Sequence, residues 1–249
     1  LQCIKIKKIS DVTKKLSKIN NSPYDIISSK NISLKINEKK EQISKNKKMQ
    51  INTVWKNEQR NRNVKLFNSR VLNLKSIKKE SKKISINANF VDYKNIITDR
   101  IDPVINLNYR QIGISGLITI IDNGEIFTLL AKRSKNNTEY PEHFEFVPSG
   151  NLDASIKNEH GEINYKNKLL EELEEETGIS KDNVKDVFEI GVVKDNKNLV
   201  YDICCLIKIN SNKEIIKKQI KKTTEYSNLQ FIKIKEFEKK KFNKKDKFV

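Results

Sequence analysis

Only two histidines, His143 and His160, occur in 249 residues. A Ser–His–Asp type of triad or a His-rich metal centre is therefore not expected. Cysteine is nearly as scarce, with Cys3, Cys204 and Cys205 and no CxxC pair. That excludes a disulfide scaffold and a cysteine-based zinc site. Cys204 and Cys205 sit in an apolar, strand-like run and read as buried free thiols. No apolar run approaches membrane-spanning length. The segment from Leu1 to Ser10 has lysines but no apolar h-region, so it does not read as a secretory signal. A reducing, cytoplasmic setting is the expectation. Hydrophobic residues make up 36% of the chain and charged residues 33%, so a core can be built in part of it but not everywhere.

What is abundant is lysine. The formal charge is +18, spread unevenly. Residues 1–109 carry a net of +16, residues 110–210 a net of −6 and residues 211–249 a net of +8. An acidic centre is thus flanked by basic arms. Basic arms can signal nucleic acid or anionic membrane. Here lysine is interleaved with asparagine and isoleucine, whereas arginine is what phosphate and base recognition prefers. Nucleic acid is therefore not the favoured partner.

The acidic centre contains one distinctive stretch, Leu169-Leu170-Glu171-Glu172-Leu173-Glu174-Glu175-Glu176-Thr177-Gly178-Ile179. Leucine and glutamate with no interior glycine, proline or β-branched residue favour a helix. Gly178 is a plausible stop. At about 100° per residue, Leu169, Leu170 and Leu173 share a stripe, and Glu172, Glu175 and Glu176 fall on the neighbouring one. Their i, i+3, i+4 spacing lets them converge. Three hard oxygen donors would select Mg²⁺, Mn²⁺ or Ca²⁺ over zinc. Taken alone, the run also fits a solvated acidic face.

Along the rest of the chain, Ile4 and Ile6, and then Ile32, Leu34 and Ile36, alternate with polar residues as short strands do, and Asn20-Asn21-Ser22-Pro23 marks a turn. Residues 38–50 read as a loop or frayed helix. Residues 64–74 read as strand, turn, strand, and Ile84, Ile86 and Ala88 mark another strand. A short helix spans Tyr93 to Ile101 and stops at Asp102-Pro103. Ile112 to Ile121 and Glu125 to Lys132 form a hairpin about Asp122-Asn123-Gly124. Phe144 to Val147 is a short strand, followed by a sharp turn at Pro148-Ser149-Gly150 and a polar loop over 151–164. Val187 to Val193 and Leu199 to Ile209 are a strand pair. A helix over Lys213 to Lys222, a strand over Leu229 to Ile234 and a fraying helix from Glu236 complete the reading.

These pieces resemble the Nudix hydrolase family. Its motif is Gly, five residues, Glu, seven residues, then Arg-Glu-apolar-x-Glu-Glu-x-Gly-apolar. Eight of the nine positions of the second half fit Glu171 to Ile179. Phe146-Val147-Pro148-Ser149-Gly150 is similar to the family's strand and entry glycine. The interval from Gly150 is seven residues longer than the pattern, so the family's first glutamate has no match in register. Strict spacing lands on Ile163; Glu159 and Glu162 are the candidates. The family's arginine is Glu171 here, and Lys168, four residues before Glu172, is the available substitute cation.

The resemblance covers about 110–235. It implies an α+β fold, an α/β/α sandwich with a mixed sheet, preceded by a basic α+β extension over 1–109 and followed by a basic tail over 236–249. It implies metal-dependent attack of water on the diphosphate of a nucleoside diphosphate linked to another moiety. Glu172, Glu175 and Glu176 would hold Mg²⁺ or Mn²⁺, with the Gly150 carbonyl as a further ligand. Glu172, Glu175 or Asp202 would supply the base; Asp202 also reads as an edge-strand surface charge. Arg133 and Gly150 are the candidate substrate contacts, Arg133 being equally readable as a solvated strand end. Tyr140, Phe144 and Tyr201 could stack a base or sugar, or serve the core. A narrower likeness, to the branch that splits UDP-sugars, lies in Trp55, Leu66-Phe67-Asn68, the Tyr93–Arg100 helix and Ile112-Gly113-Ile114-Ser115-Gly116-Leu117. The alternatives are a Nudix enzyme of RNA 5′ ends, motivated by the basic arms, and a catalytically silent binding module, motivated by Glu171.

Overall fold

The computed structural model describes residues 24–39, 41–61, 66–137, 139–158, 162–221 and 223–239. The expected strand about Ile4 and Ile6, the turn at 20–23, Cys3, Glu159, His160 and the tail over 240–249 lie outside these residues.

Eleven strands and five α-helices are laid out along the chain: β1 Tyr24–Ser28, β2 Asn31–Asn37, α1 Lys45–Asn61, β3 Arg70–Glu80, β4 Lys83–Asp92, α2 Tyr93–Ile101, β5 Gln111–Asp122, β6 Glu125–Arg133, β7 Phe144–Phe146, β8 Ser149–Asn151, α3 Tyr165–Thr177, β9 Val184–Asp195, β10 Val200–Ile209, α4 Lys213–Gln219, β11 Tyr226–Lys233 and α5 Ile234–Lys239, counted among the described residues. The fold is α+β with one large mixed sheet.

β5 is the hub. Its Gln111–Ile114 segment is buried throughout, as befits a strand paired on both sides. It runs parallel to β10 and antiparallel to β8 through Gly113 and Ile114. Its far end turns through the Asn123-Gly124 hairpin into β6, which pairs with β7 and β11. The main path of the sheet is β1-β9-β10-β5-β3-β4-β2. The β3–β5 joint is thin, one register pair between Asn73 and Gln111. The Asn73 side chain reinforces it by accepting from Arg110 N at 2.9 Å and donating to Asn89 at 2.9 Å.

β1 and β2 are two residues apart in sequence yet lie at opposite ends of that path. The twisted sheet therefore curls until its ends meet. Ser29 fastens the seam: its N–H donates to Ile190 O at 3.2 Å and its hydroxyl to Lys82 O at 2.5 Å. Inside the curl lies one apolar cluster that draws on both sides of residue 110. It includes Ile32, Leu72, Ile84 and Ile86 from the first part, and Ile112, Leu169, Leu173 and Ile203 from the second.

Two local readings change. Residues 66–69 have no regular structure, and a single strand, β3, runs from Arg70 to Glu80. Its Val71–Leu74 segment is buried on both faces between neighbouring strands, so the expected period-two pattern is absent there. The polar stretch after Glu38 enters a helix at Lys45 that continues to Asn61 and buries only Ile51 and Trp55. No helix among the described residues is long and apolar enough to cross a membrane.

Candidate functional site

The site is built on α3. Asn164 caps its start by accepting from Asn167 N, and Gly178 ends it in the left-handed region at φ 80°, its N–H bonded to Glu174 O. Leu169 and Leu173 are fully buried in the core. Glu176 lies one turn further along the same face and is only 3% exposed. Glu172 is half-buried, whereas Glu175 and Glu171 are exposed. The helical spacing thus brings two of the three predicted glutamates inward and leaves Glu175 at the rim.

Each inward carboxylate has a partner. Glu172 Oε1 is 3.0 Å from Lys168 Nζ, the cation four residues earlier. Glu176 Oε2 accepts from the Ser149 N–H at 3.0 Å. Gly150 follows immediately, and the Glu172 side chain lies against it: a Cβ there would stand 2.6 Å from Glu172 Oε1. The turn after β7 therefore carries the first half of the motif directly onto the second.

Two further carboxylates face this corner. Glu145 is 6% exposed and accepts from Arg133 at 2.7 and 2.9 Å. Glu225 precedes β11. Burial pushes Glu176 up to about 9, with Glu225 and then Glu145 adding to the shift against the Ser149 N–H. Glu225 is exposed, yet partial desolvation raises its pKa, with Arg133 opposing the shift and Glu145 and Glu175 adding to it. Burial likewise raises Glu172, against Lys168. The Tyr226 hydroxyl is buried without a well-formed hydrogen bond, and its pKa is raised by burial and then by Glu145, Glu176 and Glu225. Two buried carboxylates, Glu145 and Glu176, with the half-buried Glu172 and the exposed Glu225 beside them, face only Arg133 and Lys168 as paired cations.

Asp202 belongs to the same region. It is not an edge charge: β10 is paired with β9 on one side and β5 on the other. Its carboxylate occupies the space above Gly113, where any Cβ would collide with Oδ1. Burial pushes it up to about 7, helped by Glu145, then Glu139 and Asp195.

No family model and no curated protein sequence matches this chain. The likeness is to solved structures. A Caenorhabditis elegans Ap4A hydrolase complex is 17% identical, with a TM-score of 0.37 over 52% of this chain and 84% of that one. The Nudix domain of Shewanella oneidensis NrtR, complexed with ADP ribose, is 14% identical, with a TM-score of 0.39 over 55% and 81%. A MutT protein from Methanosarcina mazei is 18% identical, with a TM-score of 0.35 over 53% and 83%.

The remaining predicted residues fall as follows. Arg133 is not a solvated strand end. Its side chain is 15% exposed, donates from the single nitrogen Nη1 to both Glu145 oxygens, and donates Nε–H to Glu139 O at 3.1 Å. Tyr140 hydrogen-bonds Asp195 through its hydroxyl. Tyr201 is buried, with Lys194 Nζ 6.0 Å from its ring centre. Glu162 bonds Asn158 and takes no part in the corner.

Sequence reading missed Glu145 and Glu225. In Phe144-Glu145-Phe146, hydrophobic alternation points the phenylalanines inward, yet Glu145 is the buried residue. Phe146 packs on Phe237 of α5 instead, with ring centres 5.1 Å apart. No local signal marks that inversion.

Proposed function

We propose that the chain is a Nudix-type hydrolase that cleaves the diphosphate of a nucleoside diphosphate linked to another moiety. The observation that carries this reading is the corner of Gly150, Glu172 and Glu176, closed by the buried Glu145, with Glu225 at its solvent side. We assign the catalytic unit to 110–235, with 1–109 as an extension that completes its core and 236–249 as a tail.

The donor chemistry fits a hard divalent cation. The groups are carboxylates, they raise one another's pKa, and Lys168 and Arg133 are the cations paired with them. As they stand, no three such side chains among the described residues are gathered closely enough to hold an ion. Glu172 and Glu176 would exchange Lys168 and the Ser149 N–H for it. Glu172 and Glu176, with Glu175 from the rim, would be its ligands. Bound Mg²⁺ or Mn²⁺ supplies neutralisation of the diphosphate and acidification of the attacking water. Asp202 is the assigned base, because its carboxylate and the Gly150 carbonyl share the space over Gly113 and burial raises its pKa toward neutrality. Arg133 holds Glu145 in place and is the assigned substrate contact.

Within that reaction class we propose a UDP-sugar, split to UMP and sugar 1-phosphate. Trp55, Leu66 and Ile97 form one small apolar cluster, and Asn68 Oδ1 accepts from Lys94 N at 3.0 Å at the start of α2. Three of the four segments that carry the narrower likeness are thus packed on one another, the fourth being part of β5. The test is a panel of UDP-sugars, ADP-ribose, dinucleoside polyphosphates, NADH and capped RNA, each with Mg²⁺ or Mn²⁺ and product identification. UMP and glucose 1-phosphate from UDP-glucose is the expected result. Turnover of another diphosphate replaces the substrate but keeps the reaction, and a folded protein inert on all of them overturns both.

A further inference from the structure

Arg100 lies in the last turn of α2, outside the segment that carries the catalytic glutamates. The end of its helix is fixed, since the Asp99 carboxylate accepts from Leu107 N at 2.7 Å and Tyr109 N at 3.1 Å. From that anchored position the guanidinium reaches in two directions. One nitrogen donates to Gln111 Oε1 at 2.7 Å, and the other to Glu139 Oε1 at 2.8 Å. Its Nε–H is buried and has no partner. A buried donor left unpaired is destabilising, so this side chain is held by its two terminal bonds rather than by full satisfaction.

Both bonds lead to the site. Gln111 is 3% exposed and passes the first one on, its amide donating to Asn151 Oδ1. Asn151 is the neighbour of Gly150 on β8, and Gly150 is the surface against which Glu172 rests. The second bond holds the side chain of Glu139, whose carbonyl accepts from Arg133 Nε, and Arg133 Nη1 in turn donates to both Glu145 oxygens. One guanidinium therefore sets both walls of the corner: the glycine turn under Glu172, and the loop that aims Arg133 at Glu145.

We propose that Arg100 is a positioning residue through which α2 holds the Gly150–Glu172 contact and the Arg133–Glu145 pair in register. The proposal rests on the reading of the corner as the catalytic site. It explains why the extension and the later half share a site as well as a core. It also requires arginine, because a planar fork spans two acceptors at fixed separation and a lysine ammonium does not.

The test uses the full chain with two variants, Arg100→Lys and Glu139→Gln. Hydrogen–deuterium exchange, followed by mass spectrometry without substrate, reads the geometry independently of turnover. In Arg100→Lys, amides in both 149–152 and 139–145 are expected to exchange about tenfold faster, with β9 and β10 unchanged. In Glu139→Gln only the 139–145 segment is expected to loosen, which separates the two arms without touching the core. Exchange at the wild-type rate in both segments of Arg100→Lys overturns the proposal. Kinetics supply the second readout. On the substrate that the wild type turns over, Arg100→Lys is expected to lower kcat about tenfold or more with KM changed by no more than about twofold. A change confined to KM, or none, also overturns it. A wild type inert on every diphosphate defeats the catalytic reading, while the exchange result still decides whether Arg100 holds the corner.

Discussion

A Cβ placed on Gly150 would lie 2.6 Å from Glu172 Oε1 and 2.7 Å from Glu172 Cγ and Cδ. Gly150 and Glu172, two residues on which the family resemblance rests, are therefore in mutual contact. Gly150→Ala is expected to displace Glu172 and to cut kcat by about 10²-fold. Overpacking of this kind should cost about 1–3 kcal/mol of stability. Near-wild-type kcat, measured beside a thermal melt, would show that Glu172 does not need this seat.

Glu176→Gln and Glu175→Gln probe the other glutamates. Glu176 is buried and Glu175 is at the rim, so the two variants should share a loss of turnover and differ in stability. Each is expected to lose activity by about 10²-fold or more. Only Glu176→Gln should raise the melting temperature at alkaline pH, because it removes a buried carboxylate. Full activity in both variants would remove these side chains from the mechanism.

Stability should fall as the pH rises through neutrality in the presence of a chelator. Asp202 is pushed up to about 7 and Glu176 to about 9, burial being the main cause in both. The folded chain therefore keeps protons that the unfolded chain has already released at the ordinary values of 3.8 and 4.5. Between those limits the unfolded state binds fewer protons, so the stability contribution is complete below the ordinary values. It is lost progressively as pH climbs through 7 and then 9. Melting curves from about pH 5.5 to about pH 8.5 should slope downward, and Glu176→Gln should flatten the slope. A rise over that range would contradict the assignment.

Mg²⁺ or Mn²⁺ should offset that loss. Added at about pH 8.5, either ion is expected to raise the melting temperature, and the effect should shrink at about pH 5.5, where protons compete for the carboxylates. Calcium and a monovalent salt at equal ionic strength serve as controls. An equal shift from the monovalent salt would mean screening rather than binding.

A chain beginning at residue 110 should not fold on its own. It would lose Ile32, Leu72, Leu74, Ile84, Ile86, Ala88 and Phe90 from the main core cluster. It would also leave the Gln111 side of β5 without β3. Near-ultraviolet circular dichroism should lack native signals, and a cooperative melt from such a fragment would make the extension dispensable to the fold.

Much of this was legible in the chain. Gly178 was readable as the stop of α3, the Asp122-Asn123-Gly124 turn as the hairpin between β5 and β6, and Lys168 as the cation for Glu172, because each depends on neighbours within a few residues. The boundary of β3 was not, since a strand buried on both faces loses the alternation that marks its ends. Glu145 was hidden for a related reason. Its two phenylalanine neighbours argue for the opposite facing, and only the arrival of α5 with Phe237 resolves which side of β7 is inward.

The sequence by itself determined the helix, its glycine stop and the periodicity that turns Glu172 and Glu176 to one side, since these follow from local propensity and a 3.6-residue repeat. The tertiary structure alone decided the rest. Glu175 is left at the rim because the core lies under Leu169 and Leu173 and ends there. Asp202 lies on an inner strand rather than an edge because β5 comes to lie parallel to β10, a pairing between segments nearly ninety residues apart in numbering. Arg100, Gln111 and Asn151 meet because the Arg100 side chain at the end of α2 reaches Gln111 at the start of β5, whose amide reaches Asn151 of β8. Long-range pairing and burial, which no local pattern encodes, convert an acidic helix into a site with walls.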